Sequence, residues 1–372
     1  MIKKGILYIS IITIATLFGV VIFEGAYSIS KTYKDHTSVT FSIFKLINPD
    51  YNSFNIDRND LLQKESEIKD LIPVFIEDKI GIGYSPYKEL WTDEVRTTFI
   101  DENGCLLQKA NLSKQGGYLK SNLFYNFRPL TFWYDQDKIL SSKSQNFINK
   151  YSLNTINHTS NTNGERITVP RIESTDKSLI VGDSVALGLM LNDDQTLSSK
   201  LQQNNNTVQY INLGISNASS FDNLCNLKKA FKKYSGEINE LIYIISDNDY
   251  EKYENYIEIE DLLSQINDLS NNYGLTKTHI IYVPYVYNIA PEITRIRNPK
   301  LYSFETYPNY YDEEIKLKKI SDEYNWNYIN FKQLVSKHQS EGNSLYDGLK
   351  FYMDDIHLSV SGINLLYEEI IK

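Results

Sequence analysis

Five short apolar runs rich in β-branched residues alternate with helix-like stretches between residues 177 and 372. The runs cover 178–181, 208–213, 241–245, 280–283 and 327–331, and helices are predicted at about 195–204, 221–234, 257–272, 311–324 and 361–371. This alternation is typical of βαβ units, whose parallel strands form a sheet covered by helices on both faces. Ligands bind such sheets at the carboxyl ends of the strands, so the polar residues that follow each run are candidates for chemistry.

Composition excludes several classes of protein. The chain has 372 residues and a formal net charge of -9, which argues against a nucleic-acid partner because phosphates repel an acidic surface. A mean hydropathy of -0.38 excludes a protein with many membrane spans. The two cysteines, Cys105 and Cys225, exclude a cysteine-rich metal site or a disulfide framework. We expect them to be isolated rather than to form a required disulfide, because a core of this size needs no covalent link.

The N-terminus predicts a membrane anchor. Lys3 and Lys4 precede an uncharged, almost wholly apolar run over 5–23, which is about long enough to cross the hydrocarbon core as a helix. The two lysines favour a cytoplasmic tail at 1–4, a transmembrane helix at 5–24 and an extracytoplasmic remainder, on the outer side of the cell membrane. Cleavage as a signal peptide after the small residues at 25–26 is the alternative.

Residues 25–176 are predicted to form a leader or accessory region ahead of the α/β domain at 177–372. Short apolar and aromatic runs between 74 and 140, such as 97–100 and 130–134, indicate short strands or ordered loops. Residues 141–176 are rich in Ser, Asn and Thr and show no apolar period, which predicts a linker or an exposed loop.

The first apolar run of the α/β domain leads directly into Gly182, Asp183 and Ser184, and a helix-like stretch follows. A serine at a strand-to-helix turn exposes its hydroxyl and places its amide at a helix N-terminus, where positive partial charge stabilises an oxyanion. The commoner role of a lone serine at this position is that of a helix N-cap.

Two further strand ends carry candidate hydrogen-bond donors. Gly214 follows the second run, and a glycine allows its backbone amide to approach a substrate closely. Asn248 follows the third run, where its side chain could donate to a developing oxyanion. An ordinary turn after the strand is the alternative at both places.

A candidate base lies near the C-terminus. Asp354 precedes His357 by three residues, in a stretch just before the last predicted helix. An aspartate at this distance on a loop can reach the imidazole and fix its orientation, and the histidine can then serve as the base for a serine.

Together these residues resemble the SGNH hydrolases, also called the GDSL esterase family, over roughly 177–372. The blocks match in order: Gly182-Asp183-Ser184, Gly214, Asn248, and Asp354 with His357. The resemblance implies a flavodoxin-like three-layer α/β/α sandwich with a parallel sheet, and it implies neither a metal nor an organic cofactor.

Carried onto this sequence, the resemblance makes Ser184 the nucleophile, His357 the general base and Asp354 the residue that orients His357. The amides of Ser184 and Gly214 and the side chain of Asn248 would form the oxyanion hole.

The sequence departs from the family pattern in two places. Ser246 replaces the glycine of the Gly-x-Asn-Asp block, and Val185 replaces the leucine that usually follows the serine. Asp355 is a rival to Asp354 as the orienting acid, although the family spacing favours Asp354.

These features predict a membrane-anchored extracytoplasmic serine esterase that removes acyl groups from an envelope glycan or lipid. The leader segments 84–90 and 98–104 are similar to the leader of membrane-anchored bacterial members of the family. An O-acyltransferase for a surface polysaccharide is the first alternative, because the stretch 352–359 also resembles SGNH modules attached to integral-membrane acyltransferases. A non-catalytic glycan-binding or assembly module is the second. The sequence leaves the oligomeric state open.

Overall fold

The structure, a computed structural model, describes residues 97–119, 130–135, 139–250, 256–289, 311–340, 351–353 and 356–372. The predicted tail and anchor at 1–24 lie outside these residues, and so do Asp354 and Asp355. Within the described ranges, no helix combines the length and apolarity needed to cross a membrane.

Two small antiparallel sheets precede the α/β region. A hairpin pairs β1 (Thr98–Ile100) with β2 (Leu106–Gln108), and a second sheet has the order β4-β3-β5. Its elements are β3 (Ser113–Leu119), β4 (Leu130–Asp135) and β5 (Ser152–Thr159), with helix α1 (Ser142–Tyr151) directly before β5. The runs at 97–100 and 130–134, for which short strands or ordered loops are expected, form the strands β1 and β4.

The prediction of a linker or exposed loop over 141–176 is wrong for residues 142–159, because these form α1 and β5. In β5, Ile156 and His158 are both buried, while Thr155 and Asn157, which alternate with them, are exposed. The strand therefore does alternate, but a buried histidine and the surrounding Asn and Thr residues conceal the apolar period.

The central sheet contains five parallel strands in the order β10-β9-β8-β6-β7. They are β6 (Asp176–Val181), β7 (Val208–Asn212), β8 (Ile238–Ser246), β9 (Lys277–Val283) and β10 (Asn327–Asn330). Read in chain order this is the flavodoxin-like order, as predicted. The consecutive residues Leu179, Ile180 and Val181 are all fully buried, so both faces of the sheet are covered.

The helices of this region include all five that the sequence predicts, with ends displaced by a few residues. They are α2 (Ser184–Leu187), α3 (Leu197–Gln203), α4 (Ser220–Lys233), α5 (Ile259–Tyr273), α6 (Val286–Ile289), α7 (Tyr311–Glu323), α8 (Phe331–Ser340) and α9 (Val360–Ile370). Residues of α4, α5 and α7 share one buried apolar cluster with the sheet. Helices α3 and α9 pack against each other outside that cluster.

A disulfide joins Cys105 to Cys225, so the expectation of two isolated cysteines is wrong. The bond ties the β1–β2 hairpin to α4. Two polar contacts reinforce it: the Leu106 amide donates to Asp222 Oδ1 at 2.7 Å, and Lys229 forms an ion pair with Asp101. The pairing follows from packing of the hairpin on α4, which no local sequence pattern reveals.

Candidate active site

The site lies where the strand order of the central sheet reverses. Strands β6 and β8 are neighbours, although β7 follows β6 in the chain. Loops that leave adjacent strands at such a point diverge and open a crevice at the carboxyl edge. Ser184 follows β6, and Ser246 ends β8. The topology therefore brings the first and third candidate blocks to the same edge.

A tight turn places Ser184 at the start of α2. Gly182 has a φ of 148°, and a Cβ there would lie 2.4 Å from the Ile244 carbonyl oxygen, so the turn requires glycine. Asp183 then caps the helix, since its Oδ1 accepts a hydrogen bond from the Val185 amide at 2.8 Å. Ser184 occupies the first helical position, where a helix offers the amide N–H no internal acceptor.

Ser184 and His357 are in direct contact, although they lie 173 residues apart in the sequence. Nε2 of His357 is 2.8 Å from Oγ of Ser184. The serine is buried and the imidazole is half-buried. If the proton of the neutral imidazole is on Nδ1, Nε2 accepts the serine proton. The prediction that these two residues meet at the carboxyl edge of the sheet is confirmed.

The segment that carries His357 is fixed by backbone contacts. The Met353 amide donates to the His357 carbonyl at 2.7 Å, and the hydroxyl of Tyr352 donates to the Pro284 carbonyl at 2.7 Å. Ser359 then caps α9, its Oγ accepting from the Gly362 amide. The imidazole is thus anchored to the end of β9 and the start of α9. The orienting role of Asp354 stays a prediction.

The Gly214 amide, which the sequence offers as an oxyanion donor, lies in a turn in this structure, and its contribution to an oxyanion hole stays a prediction. Its amide donates to Oδ1 of Asn212 at 2.9 Å, which is an Asx turn and occupies the N–H intended for the oxyanion. A Cβ at Gly214 would lie 2.1 Å from the Leu187 amide nitrogen, so the glycine is needed for the loop to pack on α2. The ordinary turn, the alternative at this position, is what the structure contains.

Asn248 lies in a single 3-10 turn, Asp247–Tyr250, directly after β8. Its backbone is thus at the edge where the sequence placed it. The contribution of its side chain, like that of the Ser184 amide, to an oxyanion hole stays a prediction.

Ser246, the departure from the family pattern, links two buried carboxyl groups. Its Oγ is 3.1 Å from Asp183 Oδ2 and 3.2 Å from Asp249 Oδ2. A hydroxyl has one proton, so the second contact needs a proton on a carboxyl group. Burial and the nearby charge of Asp183 raise the pKa of Asp249 well above its usual range, which favours its neutral form. Ser246 therefore fixes the aspartate that caps the Ser184 helix.

A third buried acid, Asp247, forms hydrogen bonds that fix the end of β9 and the loop that follows it. Asp247 accepts hydrogen bonds from the Tyr282 hydroxyl, the Tyr285 amide at 2.7 Å and Asn288 Nδ2 at 2.6 Å. Burial raises its pKa to about 6 despite these three donors. Asp247 thereby holds the end of β9, on which the His357 segment rests. Among the described residues, no cluster of His, Cys, Asp or Glu is arranged to hold a metal ion.

A buried ion pair beside the site has no recognisable signal in the sequence. Arg166 is fully buried, and its Nε is 3.1 Å from Asp193 Oδ1. Both residues lie in polar stretches without periodicity, so nothing local distinguishes them from surface charges.

No family model and no curated protein matches the chain. Solved structures that resemble it include a member of the lipolytic G-D-S-L family from Veillonella parvula, at 14% identity and a TM-score of 0.39, over 54% of this chain and 97% of that one. A catalytic mutant of the acetylxylan esterase Axe2 from Geobacillus stearothermophilus is 16% identical, with a TM-score of 0.38, over 54% of this chain and 94% of that one.

The esterase EstA from Pseudoalteromonas is 17% identical, with a TM-score of 0.33, over 53% of this chain and 94% of that one. The similar structures are thus those of esterases and lipolytic proteins. Their low identities and TM-scores do not by themselves assign an activity to this chain.

Proposed function

We propose that this protein is a serine esterase in which Ser184 is the nucleophile and His357 the general base. The contact of 2.8 Å between Oγ and Nε2 carries the proposal. A serine hydroxyl is a weak nucleophile near neutral pH and needs a base within hydrogen-bond reach. The strand-to-helix turn supports the same role, because it places Ser184 at the edge where parallel sheets bind ligands.

The reaction follows the chemistry of the pair. Ser184 Oγ attacks the acyl carbonyl carbon while His357 Nε2 takes the hydroxyl proton, and the carbonyl oxygen becomes an oxyanion beside the α2 N-terminus. The alcohol leaves with the proton from Nε2, and an acyl-enzyme remains on Ser184. Water then loses a proton to His357, attacks the acyl carbon and releases the acid. These reaction steps need no metal and no organic cofactor.

We also propose that the enzyme works outside the cytoplasm, attached to the membrane by residues 5–24. Two observations support this location. Lys3 and Lys4 precede the apolar run, and the Cys105–Cys225 disulfide is a kind of bond that persists in oxidising compartments. Protease added to intact spheroplasts should digest the C-terminal part, and complete protection would contradict this location. An acylated envelope glycan or lipid is the substrate class that such a location makes available.

The test is hydrolysis of a short-chain nitrophenyl ester by the full-length chain in detergent, with and without a sugar acceptor. We expect ester cleavage without the acceptor and none by the Ser184→Ala variant. Product that forms only with the sugar would instead indicate an O-acyltransferase. No acyl-enzyme and no product under either condition would indicate a non-catalytic glycan-binding module.

A further inference from the structure

Helix α2, which presents Ser184, is too short to satisfy its own backbone. It has four residues, so its last carbonyls need partners from outside the helix. The Ala186 carbonyl accepts from Asn212 Nδ2 at 3.2 Å, and the Leu187 carbonyl accepts from Arg166 Nη1 at 2.8 Å. The carboxyl end of α2 therefore depends on side chains from two other segments.

Arg166 also holds the loop that follows α2. Its Nη1 donates to the Gly188 carbonyl at 2.7 Å, and its Nη2 donates to the Leu191 carbonyl at 2.5 Å. In this loop Gly188 and Met190 both have left-handed backbones, with φ of 71° and 69°. A methionine in that conformation is strained and persists only where the surrounding structure imposes it. One guanidinium that bonds three carbonyl groups of this loop, those of residues 187, 188 and 191, imposes it here.

The strand before Arg166 contacts the same loop. The Thr159 amide donates to Asp193 Oδ1 at 3.1 Å, and the Asn157 amide donates to Asn192 Oδ1 at 2.8 Å. Asp193 is also the ion-pair partner of Arg166. Strand β5 and Arg166 thus bind residues 187–193 from one side.

The same strand also contacts the segment that carries the base. Ile156, which is 1% exposed, packs in one apolar cluster with Met190 and Met353. The Met353 amide in turn donates to the His357 carbonyl at 2.7 Å. Residues 152–166 therefore contact both the loop after Ser184 and the segment before His357.

We propose that Arg166 is a positioning residue, which sets the distance and direction between Ser184 Oγ and His357 Nε2 by fixing the carboxyl end of α2. The inference rests on the proposed esterase function. It makes the accessory region part of the active-site architecture, although the sequence places the catalytic domain at 177–372. The planar fork of an arginine is required, because a lysine ammonium is a point charge that cannot span three carbonyls in fixed directions.

The test compares Arg166→Ala with Lys177→Ala, a matched variant at the other end of the sheet. Lys177 is 8% exposed and bonds the Ser174 carbonyl and Glu237 near the start of β6. Both variants lose a buried cation, and both should lose stability. Only Arg166→Ala should also lose about 100-fold in kcat with KM little changed, because a small misplacement of reacting atoms has an effect of this size.

Chemical rescue separates positioning from stability. The Arg166 side chain is fully buried, so its truncation to alanine leaves a space of the size of a guanidinium ion, next to a cavity of about 310 Å³ that residue 166 lines. Guanidinium chloride at low millimolar concentration should restore kcat of Arg166→Ala at least partly, while sodium chloride at equal ionic strength should not. Arg166→Lys should remain impaired, and Asp193→Asn, a milder change that keeps the arginine, should show a smaller loss of kcat.

The outcomes are distinct. An inert wild-type chain would overturn the esterase function and with it this inference. An active wild type with Arg166→Ala and Arg166→Lys at full kcat, whatever their melting temperatures, would overturn the inference alone. Should Arg166→Ala fail to fold, Arg166→Lys and Asp193→Asn decide: unchanged kcat in both overturns the inference, and reduced kcat in both supports it.

Discussion

Near the amino ends of β6, β8 and β9 lies a second group made of a serine, a carboxylate and a histidine, namely Ser178, Glu240 and His279. The same three kinds of side chain are predicted for catalysis at the opposite edge of the sheet. Here the carboxylate lies between the other two. Ser178 Oγ donates to Glu240 Oε2 at 2.8 Å, and His279 Nε2 is 3.2 Å from Glu240 Oε1. Nδ1 of His279 is 2.9 Å from Asn327 Nδ2, so both ring nitrogens have fixed partners. We call Ser178, Glu240 and His279 the amino-end set.

At the carboxyl edge, Ser184 Oγ contacts His357 Nε2 directly at 2.8 Å, while the carboxylate oxygen of Asp183 is farther from Oγ, at 3.5 Å. In the amino-end set Ser178 and His279 are both fully buried, and the serine hydroxyl donates to Glu240 instead of to the imidazole. Two features distinguish the proposed nucleophile from Ser178: its direct hydrogen bond to a histidine and its position after the carboxyl end of a strand. The residue types alone do not distinguish them.

The largest expected effect is on catalysis by the carboxyl-edge pair. Ser184→Ala and His357→Ala should each lower kcat by about 10⁴–10⁶-fold, and the double variant should be hardly worse, because the two residues act as a unit. Ser178→Ala is the matched control and should keep wild-type kcat while it loses about 1 kcal/mol of stability. Steady-state kinetics of the folded variants measures this. Normal activity of His357→Ala, or a loss of activity in Ser178→Ala, would contradict the comparison.

Loss of the disulfide should lower stability and should not change the positions of the amino-end set or of the Ser184–His357 pair. It closes a loop with a sequence separation of 120 residues, for which chain entropy alone gives about 5 kcal/mol. Replacing Cys105 and Cys225 by serine should lower the free energy of unfolding by this order, and reductant should have the same effect on the wild type. Denaturant unfolding with and without reductant measures it. Equal stability under all conditions would show that the bond is dispensable, as the sequence alone suggested.

Buried acids at the two ends of the sheet should make the free energy of unfolding depend on pH in opposite directions. At the carboxyl edge, burial raises the pKa of Asp247 to about 6, so between pH values of about 4 and 6 the native state binds a proton that the unfolded chain has lost. Stability should therefore fall as the pH rises through this window, by about 3 kcal/mol. In Asp247→Asn this fall should be absent.

In the amino-end set, burial alone would raise the pKa of Glu240, but hydrogen bonds from His279 and Ser178 and the neighbouring positive charges lower it to about 2. The unfolded chain then binds the proton more tightly than the native state, so stability should fall as the pH drops from about 4 towards 2. Glu240→Gln should remove that loss. Denaturant unfolding from pH 2 to 8 tests both, and equal pH profiles for the two variants would contradict the contrast.

The smallest expected effect concerns Ser246. Ser246→Ala removes the hydroxyl between Asp183 and Asp249, which should lower stability by about 1–3 kcal/mol and reduce kcat several-fold, because the cap of α2 loses a partner. Ser270 on α5 is the control: it is also buried, and its Oγ has no hydrogen-bond partner among the described residues. Ser270→Ala should be neutral. Equal behaviour of the two variants would remove any special role of Ser246.

Sequence predicted the central sheet because parallel strands buried on both faces are continuous apolar runs, of which Leu241–Ile245 is the clearest example. It also predicted the meeting of Ser184 and His357, since both flank helices at the same edge. It could not predict the contacts of Arg166, because the carbonyl groups that a buried guanidinium bonds are brought together only by the tertiary fold. Gly214 shows a third case: the sequence allowed either a turn or an oxyanion donor, and the structure contains the turn, in which the Gly214 amide bonds Asn212.

The most direct test of the central claim is covalent labelling of the full-length chain by a fluorophosphonate, followed by mass mapping of the modified residue. Only a serine activated by a base reacts quickly with such a probe. We expect one adduct in the wild type, on Ser184. The His357→Ala variant should not form this adduct, and the Ser178→Ala variant should form it to the same extent as the wild type. The absence of an adduct in the wild type, an adduct on Ser178, or full labelling of His357→Ala would contradict the central claim.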